Sequence, residues 1–514
     1  MRYVVDRTGT SCASICEVRT RKPILSFKRF VLFFTFLAIF TMAFRVSIDS
    51  DTWWHLRAGA EIIEQQKILT EDPFSFTRYQ QPWRYPGWLA QLMLYGIYEV
   101  MGFVGLNLFT ALMVVIAFAW VWQCIEGPLL LRSALILLAS TASGVYWSAR
   151  PQILSFALAG VFIFLLERER TDRPKPVWIY LMLMAFWVNL HGGFAIGFIL
   201  IGAYFGGDLL SLFGRVLAEP SRWRAQFNGS MPILKRYAGI VTVSLLGLCI
   251  NPHGPTMIAY PFKTVSISVL REYIQEWQSP DFHMLNVLPF LGMLLLAFVS
   301  FGLSKKRAHP TDYFLVLGLT FMSFWAARNI SLFALGVVVP ISRAITSFPQ
   351  FNIKWLRSSK DLPRTLQLSI NSLFAALLLV AAIVKISIPA NNVFNQEYVD
   401  ESFPSGAIAY LDKVATPGPI FNSYNWGSYL IWELYPDYHS FVDGRTDLFD
   451  DDILEQYLLA WRGESGWKEV FIRWDIQLVL IEPFSPLAAE LRLNEWDVAY
   501  EDPLAMIFVR PTDS

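Results

Sequence analysis

The stretch FVLFFTFLAIFTMAFRVSI (residues 30–48) is followed directly by DSDTWWH (residues 49–55). The first part is an apolar run close to the ~20 residues that cross a bilayer as a helix. It is longer than the core of a signal peptide and lacks a small-residue cleavage site, so we interpret it as a retained membrane span. The second part places two carboxylates, an imidazole and two indoles at the end of that span. Polar groups in this position indicate a functional site on one side of the membrane.

The composition of the whole chain agrees with a protein that crosses the membrane several times. Of its 514 residues, 54% are hydrophobic and 16% are charged, and the mean hydropathy is +0.40. Soluble chains carry roughly 25% charged residues, so a disordered chain, a typical cytosolic enzyme and a nucleic-acid-coating protein are excluded. The net charge is zero and indicates no partner. The four cysteines contain no CxxC pair, and therefore no zinc site or disulfide framework is predicted.

Eleven apolar runs are predicted to be membrane spans. They are residues 30–48, 104–124, 133–148, 152–166, 177–191, 195–214, 237–250, 286–303, 311–327, 329–347 and 366–389. The basic segment 1–29 is expected to stay in the cytoplasm, and the basic loops 167–176, 215–236, 304–310 and 348–365 then also lie inside. The segment 87–101 is interpreted as a juxtamembrane or re-entrant helix, because a further span there would reverse the sidedness of these loops.

If the chain crosses the membrane at each of these eleven spans, the other polar segments lie on the outer side. Residues 30–389 form the predicted transmembrane domain, with a first outer loop at 49–103, and residues 390–514 form an outer domain. The shorter polar elements on this side are residues 149–152, 189–193, 251–285 and 327–329. Because these elements end on one side of a helical bundle, the sequence predicts a single site there.

The start of the first outer loop carries candidate catalytic and metal-binding residues. Asp49 and Asp51 beside His55 suit a general base, or ligands for a divalent cation such as Mg²⁺ or Mn²⁺. Residues 52–66 are interpreted as an amphipathic helix at the membrane interface, with Asp51 and His55 on the same face. Trp54 is a candidate substrate-binding residue, since an indole stacks on a sugar. Two alternatives stay open: Asp51 caps this helix, and the tryptophans anchor it at the interface.

This arrangement resembles the C-type glycosyltransferases, among them protein O-mannosyltransferases and lipid A aminoarabinose transferases. The similarity lies in the first span, the acidic opening of the outer loop, its amphipathic helix, an aromatic-proline turn at 81–88 and a short apolar helix. In that superfamily an acidic residue of this loop is the catalytic base or a metal ligand, and the donor is a sugar on a polyprenyl phosphate. By position Asp49 or Asp51 would have this role, where many members have Asp-Glu. The resemblance also implies inversion at the anomeric carbon.

Two arginines and two histidines at the outer ends of spans are candidate substrate-binding residues. Arg150 in ARPQ and Arg328 in ARN are suited to clamp a lipid phosphate or pyrophosphate. His191 in NLHGG and His253 in NPHGP stand beside glycine or proline, where the backbone can approach a ligand closely. The alternatives are that the arginines snorkel or pair with carboxylates, and that the histidine motifs cap broken helices.

The C-terminal outer domain alternates β-type runs with helical ones, which predicts a small α/β domain. Strands are expected at 441–442, 477–481 and 505–509, and helices at 405–413, 427–434, 452–462 and 486–493. The stretches FNSYNWGSYL (421–430) and FVDGRTD (441–447) resemble the Trp-Trp-Asp-Tyr-Gly region of oligosaccharyltransferase catalytic subunits, with Asn425 in place of that motif's Asp. Asp443 and Arg445 are candidates for acceptor binding, and the alternative is a turn with a local ion pair.

The sequence therefore predicts a polytopic α-helical membrane protein of the C-type fold, with about eleven spans and an α/β domain outside. The expected function is transfer of a sugar from a polyprenyl-phosphate donor, within membrane lipid, to an acceptor on the extracytoplasmic side. Asp51 or Asp49 would act as the base, and a divalent cation or the arginines would stabilise the departing phosphate. The alternatives are a transporter of lipid-linked sugars and a non-catalytic assembly protein of the same fold. The disulfide-free outer domain favours a bacterial inner membrane.

Overall fold

The computed structural model describes residues 27–171, 174–348, 364–414 and 418–511. Within these ranges the chain is mainly helical. The helices of its N-terminal part are α1 Phe27–Ala43, α2 Ser50–Gln65, α3 Trp88–Trp122, α4 Leu129–Ser143, α5 Gln152–Glu169, α6 Trp178–Val188, α7 Ala195–Ala218, α8 Trp223–Leu248, α9 Tyr260–Ser266, α10 Ser268–Tyr273, α11 Leu288–Leu303, α12 Pro310–Trp325, α13 Ile330–Thr346 and α14 Arg364–Ser387. Most of the basic segment 1–29 and of the basic loop 348–365 lies outside the described residues.

A helix of the bundle underlies each of the eleven predicted spans. Counted together with the 3₁₀ turns that adjoin some of them, seven helices in the described part of the chain are long and apolar enough to cross a membrane: α3, α4, α7, α8, α11, α13 and α14. The other four, α1, α5, α6 and α12, are shorter or end in charged residues. The chain is therefore an integral membrane protein, while the number of eleven spans stays a prediction.

The helix α3 is bent at Gly102, whose φ of 58° and ψ of −150° lie outside the helical region. Glycine adopts such a conformation without the steric cost that a Cβ brings. The bend separates the predicted juxtamembrane segment 87–101 from the span that follows it. The part of α3 before this bend packs closely on α2. A side chain at Gly59 of α2 would collide with the backbone carbonyl oxygen of Gln91.

The C-terminal domain is a small α/β unit, as predicted. It contains α15 Asn392–Ser402, α16 Ser405–Val414, α17 Tyr424–Leu434, α18 Thr446–Trp461, α19 Trp467–Arg473, α20 Pro486–Leu493, β1 Ile420–Asn422, β2 Leu478–Ile481, β3 Asp497–Glu501 and β4 Met506–Val509. The sheet order is β1-β2-β4-β3, with β1 parallel to β2 and the other neighbours antiparallel. The prediction of a strand at 441–442 is wrong, since these residues pair with no strand of this sheet. The strands β1 and β3 were not predicted.

The C-terminal domain packs directly on α2 and on the first outer loop. Trp53 of α2 is 1% exposed, and its ring centroid lies 4.9 Å from that of Tyr429 in α17. Arg445 forms a fully buried ion pair with Asp72 of the first outer loop. Both tryptophans of α2 are therefore covered by protein, and the alternative that they anchor the helix in the membrane is wrong. The position of α2 at the membrane interface stays a prediction. A helix amphipathic in sequence can bury its apolar face against a domain as well as against lipid.

Candidate active site

A cavity of about 810 Å³ lies where the predicted outer segments meet. Its wall includes Asp49, Asp51, Trp54, His55, Tyr85, Arg150, His191, Tyr260, Glu276, Trp277, Arg328, Tyr424, Asn425, Gly444 and Asp447. These residues come from the first outer loop, from four short segments between spans and from the C-terminal domain. The prediction that these segments converge is confirmed, since they line one cavity.

The N-terminus of α2 is capped by Asp49. Its Oδ1 accepts hydrogen bonds from the backbone N–H groups of Asp51 at 3.1 Å and Thr52 at 3.2 Å. Its Oδ2 lies 2.8 Å from Nε of Arg150. The alternative that Asp51 serves as the cap is therefore wrong, and the carboxylate of Asp51 faces the cavity from the first turn of the helix.

The guanidinium of Arg150 is the centre of a carboxylate cluster. Its Nη1 donates to Asp51 Oδ2 at 2.7 Å, and its Nη2 donates to Glu276 Oε2 at 3.1 Å. Nε donates to Ser148 Oγ at 3.0 Å, and the amide oxygen of Gln152 accepts from Nη2 at 2.8 Å in the orientation that satisfies both of its polar atoms. Each nitrogen of the guanidinium thus has a protein acceptor, so Arg150 is held firmly within the wall.

Glu276 connects Arg150 to the second arginine of the cavity. Its Oε1 lies 3.4 Å from Nη1 of Arg328, whose guanidinium stacks on Trp277 at 4.5 Å from the ring centroid. Burial alone would raise the pKa of Glu276, but Arg328 and then Arg150 lower it to about 2. Glu276 is therefore ionised at neutral pH. Arg328 forms one ion pair, with Glu276 at 3.4 Å, which is longer than any of the three ion pairs of Arg150. Arg328 is the more available of the two arginines for an anionic ligand.

The carboxyl group of Asp51 has the properties of a general base. Burial raises its pKa to about 6 against the lowering effect of Arg150, and the neighbouring charges of Asp49 and Glu276 add to the rise. A carboxylate with a pKa close to neutrality is still ionised at pH 7 and binds a proton more strongly than an exposed aspartate does. Asp51 is thus the carboxylate in this cavity best suited to remove a proton from a hydroxyl group.

His191 is a neutral hydrogen-bond donor. Its Nδ1 accepts from the backbone N–H of Gly193 at 3.1 Å and lies 2.8 Å from Oγ of Ser155. Trp187 Nε1–H donates to the same Oγ at 2.7 Å, so the hydroxyl proton of Ser155 is directed to Nδ1. Burial, followed by the charges of Arg328 and Arg150, lowers the pKa of His191 to about 3. The single ring proton therefore lies on Nε2, where it can be donated to a ligand.

The predicted metal-binding set of Asp49, Asp51 and His55 is not assembled. Both carboxylates contact Arg150, and burial followed by the charge of Arg150 lowers the pKa of His55 well below its usual value. The ring of His55 stacks on Trp54 at 3.5 Å, and its buried Nδ1 has no hydrogen-bond partner. Within the described ranges, no group of three His, Cys, Asp or Glu side chains could hold a metal ion. The residues present therefore do not fit a divalent cation at this position.

Three predicted substrate-binding residues do not line the cavity. His253 lies outside it, and its pKa is lowered by burial. Asp443 and Arg445 are fully buried and bonded to each other, with Nη2 of the arginine 2.7 Å from Oδ2 of the aspartate. The alternative of a turn with a local ion pair is the arrangement observed. The residue between them, Gly444, reaches the cavity and lies against Asp51: a Cβ at this position would be 1.9 Å from Oδ1.

Several wall residues were not predicted from the sequence. Tyr424 bonds to Thr446 Oγ1 at 2.9 Å, and Tyr260 donates to Asp447 Oδ2 at 3.2 Å. Burial raises the pKa of Asp447. The acidic and aromatic composition of these segments was visible in the sequence, but nothing local indicates that the two rings line the same cavity as Asp51. The first of these bonds lies within the C-terminal domain, whereas the bond from Tyr260 joins an outer segment to that domain across 187 residues.

No protein-family model and no curated protein sequence matches the chain. Solved structures do resemble it. The archaeal oligosaccharyltransferase AglB from Archaeoglobus fulgidus, in complex with an inhibitory peptide and a dolichol-phosphate, is similar over 88% of this chain and 69% of its own, with 12% identity and a TM-score of 0.51. ArnT from Cupriavidus metallidurans bound to undecaprenyl phosphate is similar over 94% of this chain and 98% of its own, with 13% identity and a TM-score of 0.49. At such identities a likeness concerns the fold alone, and the chain has the C-type glycosyltransferase fold of the archaeal oligosaccharyltransferase.

Proposed function

We propose that the protein is a membrane glycosyltransferase, which moves a sugar from a polyprenyl-phosphate donor to an acceptor hydroxyl on the extracytoplasmic side. The observation that carries this proposal is the carboxylate of Asp51, with its raised pKa of about 6, in the same cavity as the donors His191 and Arg328. A base for the acceptor and hydrogen-bond donors for the leaving phosphate are what such a transfer requires. The C-type fold supports the same assignment.

In the proposed step, Asp51 accepts the proton of the acceptor hydroxyl while that oxygen attacks the anomeric carbon of the sugar. The bond between the anomeric carbon and the phosphate oxygen breaks, and its electron pair leaves with the polyprenyl phosphate. The products are a glycoside and a free polyprenyl phosphate, and the proton on Asp51 is released to water. Attack from the face opposite to the phosphate inverts the configuration, as the resemblance to C-type enzymes implies.

Arg328 and His191 are assigned to the phosphate of the donor. Arg328 keeps its positive charge toward the cavity, with Glu276 at 3.4 Å, and His191 offers a neutral N–H. Together they would stabilise the negative charge that grows on the phosphate oxygen as the bond breaks. The dolichol-phosphate in the AglB complex supports a polyprenyl phosphate as the lipid carrier.

The acceptor is proposed to approach Asp51 from the side of the C-terminal domain. Tyr424 and Asn425 line the cavity there, and Gly444 brings the backbone into contact with the Asp51 carboxylate. Phenol and amide groups suit an acceptor that carries hydroxyl groups. The distribution of basic loops supports a cytoplasmic N-terminus and an extracytoplasmic C-terminal domain. The disulfide-free outer domain supports the inner membrane of a bacterium as its location.

The proposed activity is tested by the release of free polyprenyl phosphate. The full chain, reconstituted in liposomes, is incubated with undecaprenyl phosphates that carry glucose, mannose, galactose or N-acetylglucosamine, together with a membrane extract as the source of acceptor. We expect undecaprenyl phosphate to appear with at least one donor, as measured by mass spectrometry. Movement of an intact donor across the bilayer without bond cleavage would instead favour a transporter.

The rate of this reaction is expected to fall in acid with a midpoint near pH 6. Asp51 must be deprotonated to act as the base, and its raised pKa of about 6 means that it is protonated well before an ordinary aspartate. Below the midpoint the rate should drop about tenfold per pH unit, and above it the rate should be level. Glu276 and His191, with pKa values of about 2 and about 3, do not titrate in this range. Initial rates between pH 4.5 and 8 measure this, and a constant rate down to pH 4.5 would contradict it.

A further inference from the structure

Three carboxylates of the cavity surround one positive charge, and that charge is the guanidinium of Arg150. Asp49 and Asp51 come from the start of α2 and Glu276 from the segment before α11, and all three contact Arg150. The ion-pair distances are 2.8 Å to Asp49, 2.7 Å to Asp51 and 3.1 Å to Glu276. Carboxylate oxygens that converge in this way are the ligands that hard divalent cations prefer. The guanidinium therefore lies where such a cation would be expected.

The position of Arg150 within the wall is fixed by further contacts. Its side chain is only 14% exposed. Ser148 accepts a hydrogen bond from Nε, which also faces Asp49, and Gln152 accepts one from Nη2, which also faces Glu276. A divalent cation placed within about 4 Å of the guanidinium would be repelled by several kcal/mol at an effective dielectric constant near 20. To bind the three carboxylates, a cation would have to displace the arginine from all of these contacts.

We propose that Arg150 replaces a divalent cation as the fixed positive charge of this site, so that sugar transfer needs no metal ion. This inference rests on the proposed function. In this role Arg150 holds the carboxylate of Asp51 in place through one oxygen, Oδ2, while the other, Oδ1, lies beside Gly444 and is the oxygen that would take the acceptor proton. We also assign Arg150 as a positioning residue rather than the ligand of the donor phosphate, because four of its five N–H groups already have a protein acceptor.

Binding of Mn²⁺ to the purified full chain tests the proposal without any substrate. Electron paramagnetic resonance measures the fraction of Mn²⁺ that is bound. The wild type is expected to show no tight binding. Arg150→Ala leaves Asp49 and Asp51 without their counter-ion and Glu276 with Arg328 alone. We expect its Mn²⁺ affinity to be on the order of 100-fold higher. Arg150→Lys keeps a positive charge and should resemble the wild type. Adding Asp51→Asn to Arg150→Ala should remove the gain.

Two results would overturn the proposal in this experiment. One is tight Mn²⁺ binding by the wild type that Asp51→Asn abolishes. The other is an Arg150→Ala variant that keeps the wild-type gel-filtration profile and binds no Mn²⁺. A second measurement needs no variant: treatment of the wild type with EDTA should leave the rate of polyprenyl phosphate release unchanged. Loss of that activity and its recovery with Mn²⁺ or Mg²⁺ would also overturn the proposal.

The outcomes also separate this inference from the proposed function. Mn²⁺ binding is measured in the absence of donor and acceptor, so its result stands whether or not any sugar is transferred. If the wild type releases no polyprenyl phosphate from any donor while Arg150→Ala gains Mn²⁺ affinity, the proposed transferase activity fails. In that case the statement that Arg150 occupies a cation position is retained.

Discussion

Asp51→Asn is expected to lower the rate of polyprenyl phosphate release on the order of 10²–10⁴-fold, the usual contribution of a general base. The amide has nearly the same shape as the carboxylate but cannot accept the proton of the acceptor hydroxyl. The hydrogen bond from Arg150 Nη1, 2.7 Å long, can be made to the amide oxygen, so the wall of the cavity should persist. Binding of the donor should therefore change little, and the loss should appear in kcat rather than in KM.

Asp49→Asn is the matched variant for this comparison. Asn is about as good a helix N-cap as Asp, so the hydrogen bonds to the backbone of Asp51 and Thr52 should be kept while the charge is removed. A loss of about tenfold or less is expected, because Asp49 acts through Arg150. Asp412→Asn, on the exposed face of α16, controls for the substitution itself. Equal losses in the Asp51 and Asp49 variants would contradict the assignment of Asp51 as the base.

Arg445→Met is expected to detach the C-terminal domain from the first outer loop. The arginine is fully buried between Asp72 and Asp443, and its guanidinium also stacks on Trp83 at 5.0 Å from the ring centroid. Removing one partner of a buried ion pair costs about 3–5 kcal/mol, since the remaining carboxylates stay buried without a counter-ion. We expect the thermal unfolding temperature to fall by several degrees and proteolysis of the C-terminal domain to accelerate.

Arg492→Met serves as the control for this substitution within the same domain. Arg492 pairs with Glu501 at 2.9 Å, but both side chains are about half exposed. Exposed pairs contribute about 0–1 kcal/mol, so this variant should unfold close to the wild-type temperature. Since Gly444 lies between Asp443 and Arg445 and contacts Asp51, the Arg445 variant should also lose transferase activity. Equal unfolding temperatures of the two variants would show that the buried ion pairs do not hold the domain in place.

The layout of the bundle was predictable because hydrophobicity is a local property of the chain. A helix underlies every predicted span, and the polar segments between spans meet in one cavity, as the sidedness of the basic loops indicated. Seven of the ten candidate residues chosen from the sequence line that cavity: Asp49, Asp51, Trp54, His55, Arg150, His191 and Arg328. Motif context at the ends of spans was sufficient to select them, because polar groups beside a membrane are costly unless they have a partner or a function.

Other predictions failed because the same local sequence pattern is compatible with more than one tertiary environment. The sequence of α2 is amphipathic, yet its apolar face packs on the C-terminal domain rather than on lipid. Asp443 and Arg445 look like exposed turn residues, but Asp72, from a loop more than 350 residues away, completes a buried ion pair with Arg445. His253 occurs in a motif similar to that of His191 and lies outside the cavity. Sequence similarity between the two motifs carries no information on which wall each one faces.

The sequence by itself determined that this is a membrane protein, where the helices of its bundle lie and which polar segments meet in one cavity. The tertiary structure decided how those polar groups are paired. Arg150 meets Asp51 across 99 residues and Glu276 across 126, and this pairing leaves Asp51 as the base, Arg328 as the cation available to an anion, and no open set of carboxylates for a metal. Periodicity and hydropathy report on neighbours in the chain, whereas the partner of a charge depends on how distant helices and the C-terminal domain pack together.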